Sequence, residues 1–242
     1  MKKLFLLFFV SSLVSIDHND KTKLDEFARF AYSTHATVYN SFDLALDCIK
    51  NNIPGDFVEC GVAAGTQVAA MAHASQKYNA HKVLHLFDSF EGIPLAGPQD
   101  DQQPGIGAIT HNVHVKNLNE LLVTSGITVW SLEQVKSIMN SWGIDSRYLR
   151  YHKGWFQHTL PLAADRIKSV SLLRLDGDLY ESTKVCLEYL YPKISKGGYI
   201  IIDDYALTGC RKAVDEYLEE HNIHPTIITI KDGMGPVYWQ IQ

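Results

Sequence analysis

Apolar positions along the chain recur with two different periods, and the alternation between them lays out the fold. Between Lys23 and Asn52 the spacing is three and four, with Phe27, Phe30 and Ala31 followed by Phe42, Leu46 and Ile49, which predicts two amphipathic helices. Asn52, Pro54 and Gly55 end the second. Asp56 to Cys60 (DFVEC) then reads as a short buried strand, and Gly61 to Thr66 as a turn into a helix over Gln67 to Tyr78. A second strand, Val83 to Phe87, ends in Asp88. A helix over Ser131 to Trp142, capped by Ser131 with Glu133 and Gln134 in its first turn, leads to a third strand at Tyr148 to His152. The fourth strand lies in LLRLDGDLY, Leu172 to Tyr180, and is followed by a helix over Ser182 to Tyr191 that Pro192 stops. Lys196, Gly197 and Gly198 are expected to turn the chain into the strand Tyr199 to Ile202, which ends in Asp203 and Asp204. Arg211 to His221 forms a helix with Val214, Tyr217 and Leu218 inward, and Thr226 to Ile230 pairs with Pro236 to Ile241 through Asp232 and Gly233. Strands alternating with helices imply an α/β fold, a doubly wound, mostly parallel seven-stranded sheet with an antiparallel edge.

Two stretches break the pattern. From Glu91 to Trp130, Gly92, Pro94, Gly97, Pro98, Pro104, Gly105 and Gly107 crowd together, which predicts a mobile lid around 92–130 with a short helix at Asn117 to Thr124. His111 and His114 lie inside it without a third ligand nearby, and read as solvated loop residues. At the start, Lys2 and Lys3 precede an apolar run from Leu4 to Val10, so 1–22 reads as an apolar leader or signal-like segment ahead of a single domain over 23–242. The run is too short to span a bilayer, and no small-residue cleavage site follows. Membrane association beyond the leader is not expected; a cytoplasmic enzyme is, with export left open.

Composition narrows the partners. At 242 residues and 46% hydrophobic, the chain buries a full core as one domain. A net charge of -5 with scattered Lys and Arg provides no basic field for nucleic acid. The four cysteines, Cys48, Cys60, Cys186 and Cys210, form no CxxC pair and read as reduced, buried thiols.

The chemistry gathers at strand ends. Two apolar strands finish in Asp176 and Asp178 and in Asp203 and Asp204, and the carboxyl ends of strands are where open α/β sheets bind ligands. As neighbours they would bring four carboxylates into one crevice, whose repulsion calls for a cation; oxygen ligands at that density suit Mg²⁺. The turn Gly61 to Gly65 lets a ligand approach the backbone beside helix N-terminal amides. Asp88 stands 27 residues after Gly61, where dinucleotide folds place an acid on ribose hydroxyls; the alternative is that it only caps the loop. Trp155, just past the third strand, is placed either to stack on a purine or to plug the core, and His158 reads as a surface residue with acid–base chemistry as its alternative.

With these pieces in line, the chain from about Asn40 onward resembles Rossmann-like S-adenosylmethionine-dependent enzymes of the macrocin O-methyltransferase family. The resemblance rests on PGDFVECGVAAG (Pro54 to Gly65), LFDSFEGIP (Leu86 to Pro94), KGWFQHTLP (Lys153 to Pro161), LLRLDGDLYEST (Leu172 to Thr183), LYPKISKGGYIIIDDY (Leu190 to Tyr205) and GCRKAVDEY (Gly209 to Tyr217). It implies Mg²⁺-dependent methylation of a sugar hydroxyl on a small-molecule natural product, by a homodimer with a lid. It implies Glu59, Gly61 and Gly65 in the S-adenosylmethionine pocket with Trp155, and Asp88 with Ser89 at the ribose. Asp176, Asp203 and Asp204 would hold the metal and Asp178 would be the general base, with the alternative that Asp176 and Asp178, which leave the same strand, exchange these roles. Ala63 and Ala64 depart from the family's bulky aromatic and basic residue, and His158 from its usual Asp.

The residue types suit that chemistry independently. Binding a hydroxyl to Mg²⁺ lowers its pKa, and a neighbouring carboxylate can take the proton. The rival is a haloacid-dehalogenase-like phosphatase using Asp176 and Asp178 as DxD, against which stand Tyr180 and the position of the motif away from the first strand. A non-catalytic binding protein on the same fold is the third alternative.

Overall fold

The computed structural model describes residues 17–100, 117–231 and 235–242. Residues 1–16, and with them most of the expected leader, lie outside the described residues, as do His111, His114, Asp232 and Gly233. In chain order the main elements are α1 (His18–Ala28), α2 (His35–Lys50), β1 (Asp56–Cys60), α3 (Thr66–Lys77), β2 (Leu84–Asp88), α4 (Leu132–Ser141) and β3 (Leu149–Lys153). They continue with α5 (Phe156–Ala163), β4 (Val170–Leu175), α6 (Tyr180–Leu190), β5 (Ile194–Ile202), α7 (Thr208–Glu220), β6 (Ile228–Thr229) and β7 (Val237–Gln240).

The strands form one sheet in the order β3-β2-β1-β4-β5-β7-β6. β1 to β5 are parallel, and β7 runs antiparallel to both β5 and β6. This is the expected doubly wound sheet with its antiparallel edge. The strand order reverses between β1 and β4, so the crevice opens at their carboxyl ends. Register brings those ends level: Cys60 pairs with Leu175, and Leu175 with Ile202.

All six residues of β4 are buried, as a central parallel strand covered on both faces requires. Leu172 faces the layer of α1 to α4 with Phe27, Phe42, Phe57 and Leu86. Leu173 and Leu175 face the layer of α5 to α7 with Leu160, Leu187 and Val214. Pleating therefore sends Arg174 to the same side as Leu172. The capping box of α4 is formed as the sequence indicates, with Ser131 Oγ accepting from the Gln134 amide and Gln134 Oε1 from the Ser131 amide. The four cysteines are free and buried. No described helix is long and apolar enough to cross a membrane.

Four expectations change. Helix α1 begins at His18, inside the stretch assigned to the leader, because Asp17 caps it by accepting from the Asp20 amide at 2.9 Å. It ends at Ala28, so Phe30 leaves the apolar stripe and is 45% exposed. Gly197 and Gly198 do not turn the chain; they lie within β5, where the register with β4 shifts between Val170 and Leu172. The helix expected at Asn117 to Thr124 shrinks to one 3₁₀ turn, Leu118–Glu120. The following residues are instead drawn into extended pairing with the opposite limb of the 92–130 segment. Pro94 bridges Thr124, and the Ile93 amide donates to Ile127 O at 3.0 Å.

Candidate active site

The exits of β1 and β4 touch. A Cβ on Gly61, whose φ is +89°, would lie 1.7 Å from the Asp176 carbonyl oxygen, so only glycine permits this approach. The Asp176 amide donates to Cys60 O at 2.8 Å and the Gly61 amide to Phe87 O at 2.9 Å, which fixes the three strand ends together. The turn continues through Ala63 in the left-handed region (φ 46°) to Gly65 at the start of α3.

Asp88 holds this turn from inside. Its Oδ2 accepts from the amides of Val62 (2.7 Å) and Ala63 (3.2 Å), and its Oδ1 accepts from Phe90 (2.6 Å). Burial raises its pKa against the pull of those three amides. Capping, the alternative weighed from the sequence, is thus a contact this carboxylate makes. Ser89 Oγ likewise donates to Gly92 O at 2.7 Å and accepts from the Glu91 amide at 3.0 Å.

The four strand-end aspartates do not form one equivalent set. One oxygen each of Asp176, Asp178 and Asp204 lies within 4.8 Å of the others, the one such group among the described residues. Asp203 lines the same cavity with Oδ1 on Arg174 Nη2, and Asp178 lies inside the group of three. Arg174 is the reason. Its guanidinium is fully buried and also donates to Glu59 Oε1 at 2.7 Å and Asp176 Oδ2 at 2.6 Å. Glu59 and Arg174 are register neighbours on β1 and β4, so the ion pair is a cross-strand pair. The cation that the carboxylates require is therefore partly supplied by the chain itself. The signal in the sequence is Arg174 as the lone charged residue of a buried strand.

Asp178 adopts a left-handed backbone (φ 57°), and its amide donates to Asp204 Oδ2 at 2.9 Å. Burial and the charges of Asp176, Asp203, Asp100 and Asp88 push its pKa up to about 8. Burial drives Asp204 in the same direction, with Asp178, Asp176 and Asp203 adding to it. Burial raises Asp203 to about 7 and Glu59 to about 8, in both cases against Arg174.

The glycine turn and the aspartates line one cavity of about 470 Å³. Glu59, Gly61, Asp88, Ser89 and Trp155 all border it, whereas His158 is exposed and does not. Gly65 is not on its wall, although Ala64 and Thr66 are. Three residues that sequence reading missed, Phe30, Tyr32 and Ser33, reach the cavity from the connection between α1 and α2. No motif marks them; chain folding alone brings them there. Gln67, also missed, lines the wall and bonds Ser41, Ser33 and Thr37.

The chain is similar to known proteins along most of its length. The family model of macrocin-O-methyltransferase (TylF) matches residues 16–241. Demethyldecarbamoylnovobiocin O-methyltransferase of Streptomyces niveus is 38% identical over 197 residues, covering 80% of this chain and 69% of that protein. Mycinamicin III 3''-O-methyltransferase of Micromonospora griseorubida is 34% identical over 193 residues, 79% of this chain and 70% of its own. The solved structure of the O-methyltransferase NovP superposes with a TM-score of 0.72 at 34% identity, covering 86% of this chain and 81% of that one. A match running from before α1 to the last strand, at this identity and with this fold, displaces the phosphatase alternative and makes the chain a methyltransferase belonging to the macrocin-O-methyltransferase family.

Proposed function

We propose that this chain transfers a methyl group from S-adenosylmethionine to a hydroxyl of a sugar or glycosylated natural product, with Mg²⁺ at the aspartate cluster. The observation that carries the reading is one cavity with a glycine-lined turn along its wall and three converging carboxylates. The residues fit both groups. Gly61 and Ala63 bring a turn backbone to the cavity wall where a donor's methionine portion would lie, and Trp155 offers a flat face for its purine. Asp176, Asp178 and Asp204 offer oxygens at the density a hard dication needs. Bound there, Mg²⁺ would acidify and aim the acceptor hydroxyl. S-adenosylmethionine supplies a methyl already activated as a sulfonium.

The remaining work belongs to the chain. Asp176 and Asp204 hold the ion, and Arg174 keeps Asp176 and Asp203 directed toward the crevice by taking one oxygen of each. Asp178 takes the hydroxyl proton on its carboxylate. Burial, and then the surrounding carboxylates, push its pKa up to about 8, and a dication beside it would lower that value and leave the carboxylate free to accept a proton. Asp88 fixes the turn against which the donor lies, and orientation of this kind can supply about 7 kcal/mol or more of the barrier reduction.

The relatives named above act, by their names, on demethyldecarbamoylnovobiocin and on the 3'' position of mycinamicin III, and a further relative from Streptomyces olivaceus acts on a rhamnosyl-tetracenomycin, which supports a sugar-bearing acceptor. Calorimetric titration with S-adenosylhomocysteine, with and without Mg²⁺, tests the reading without knowledge of the acceptor. Micromolar binding is expected; folded protein that binds in neither condition would refute it.

A further inference from the structure

Asp100 is buried at 7% exposure, carries a carboxyl whose pKa burial raises, and enters the site above only as one of the charges acting on Asp178. It belongs to the segment after β2, yet its contacts are with two distant helices. Its Oδ1 accepts from the Tyr180 amide at 2.8 Å, and its Oδ2 accepts from the Gly97 amide at 2.9 Å. Tyr180 is the first residue of α6, whose N-cap, Leu179, offers no side-chain hydrogen bond. Asp100 therefore serves as that helix's cap from 80 positions away in sequence. A carboxylate there also meets the positive end of the helix dipole.

The second contact is steric. A Cβ on Gly209, in the first turn of α7, would lie 2.0 Å from Asp100 Oδ1, so the helix carries glycine where the carboxylate enters. Beside it, Lys212 Nζ donates to Gln99 Oε1 at 2.6 Å, and Ala96 packs with Leu179 and Leu207. The Ala96–Asp100 stretch is thus docked against both helix starts.

Between them lies the Gly177–Asp178–Leu179 turn. Asp178 is held in a left-handed backbone, a conformation that non-glycine residues adopt only when their surroundings enforce it. Two carboxylates grip its flanks: Asp204 takes the Asp178 amide and Asp100 takes the Tyr180 amide. We propose that Asp100, seated against Gly209, is a positioning residue that holds the Asp178 turn in its cavity-facing geometry. The inference rests on the methyltransferase reading for its consequence, but the clasp itself is tested separately.

The experiment uses the full chain, with Mn²⁺ and S-adenosylhomocysteine as probes. In Asp100→Ala, hydrogen exchange at the amides of Asp178 to Glu181 should accelerate about tenfold or more. Mn²⁺ affinity, read by paramagnetic resonance, should fall about tenfold. S-adenosylhomocysteine affinity should stay within about twofold, since that ligand's wall is β1 and β2. Gly209→Ala should reproduce both losses, because alanine suits a helix and its methyl displaces only Asp100. The double variant should be no worse than Asp100→Ala, and Asp100→Asn, which keeps an oxygen for Tyr180, should restore most of the exchange protection. Unchanged exchange at Tyr180 in Asp100→Ala, a Gly209→Ala protein like wild type, or losses that add in the double variant would each overturn the proposal. Wild-type protein that binds neither probe would refute the functional reading instead, and the exchange data would still decide the clasp.

Discussion

Replacing Arg174 by methionine keeps much of its volume and removes the charge that three carboxylates share. Glu59 is buried to 1% exposure and has no water to turn to. Burial keeps its pKa at about 8 even beside Arg174, so at pH 8 the wild type holds it partly as the ion, and without the guanidinium it takes the proton fully. The loss there is that of an unpaired buried polar group, about 1–3 kcal/mol. The side chains of Asp176 and Asp203 are 30% and 13% exposed, and solvent screens each of their losses to about 1 kcal/mol. Together the destabilisation is about 3–5 kcal/mol, the range for breaking a buried ion pair from one side. In a domain of this length that lowers Tm by roughly 6–20 °C. Thermal unfolding followed by circular dichroism at pH 8 measures it. The deficit should shrink near pH 5.5, where Glu59 and Asp203 carry protons in the wild type as well. Adding Glu59→Gln to Arg174→Met should change the melting point little further, because Glu59 without the guanidinium is already a neutral group of the same shape. An Arg174→Met protein that melts within about 2 °C of wild type at pH 8 would refute the reasoning, since it would mean the carboxylates need no internal cation.

Three further outcomes follow from the same geometry. The metal-free protein should lose stability as pH rises: Asp178 has its pKa lifted from 3.8 to about 8, so the folded state binds more protons than the unfolded one across that window, and stability falls through it. Mg²⁺ should flatten the slope in chemical denaturation at pH 5 and pH 8, and a metal-free stability that rises over that window would contradict the assignment. Gly61→Ala should cost several kcal/mol and abolish S-adenosylhomocysteine binding in calorimetry, because its methyl would meet backbone that cannot withdraw, the Asp176 carbonyl. Ala63→Gly should stabilise the turn by about 0.5–1 kcal/mol in urea unfolding, since it removes the strain of a left-handed alanine (φ 46°); unchanged or lowered stability would show that the unfolded chain's added freedom outweighs it.

How much could be read without coordinates depends on the range of the forces involved. Helix and strand periods are local, and the sequence alone determined the seven strands, their alternation with helices and the antiparallel edge. It also determined that Asp176, Asp178, Asp203 and Asp204 sit at strand ends, since an apolar run ending in acids has few other interpretations in an α/β chain. The six family blocks gave the chemistry class for the same reason. Some boundaries were not legible: α1 starts at His18 under a local Asp17 cap inside the stretch read as leader, and the helix expected over Asn117 to Thr124 keeps only Leu118–Glu120, with Thr124 bridged to Pro94. Tertiary structure alone decided which aspartates converge and which of them Arg174 holds. Arg174 takes Asp203 because pleating turns it to the side of Glu59, and no spacing in the sequence records which oxygen a guanidinium will claim. It alone brought Tyr32 to the cavity and Asp100 to the start of α6, across 80 residues of chain. Local pattern fixes which elements exist and which groups they end in; contacts between groups far apart in sequence depend on how those elements pack, and only the assembled chain contains that information.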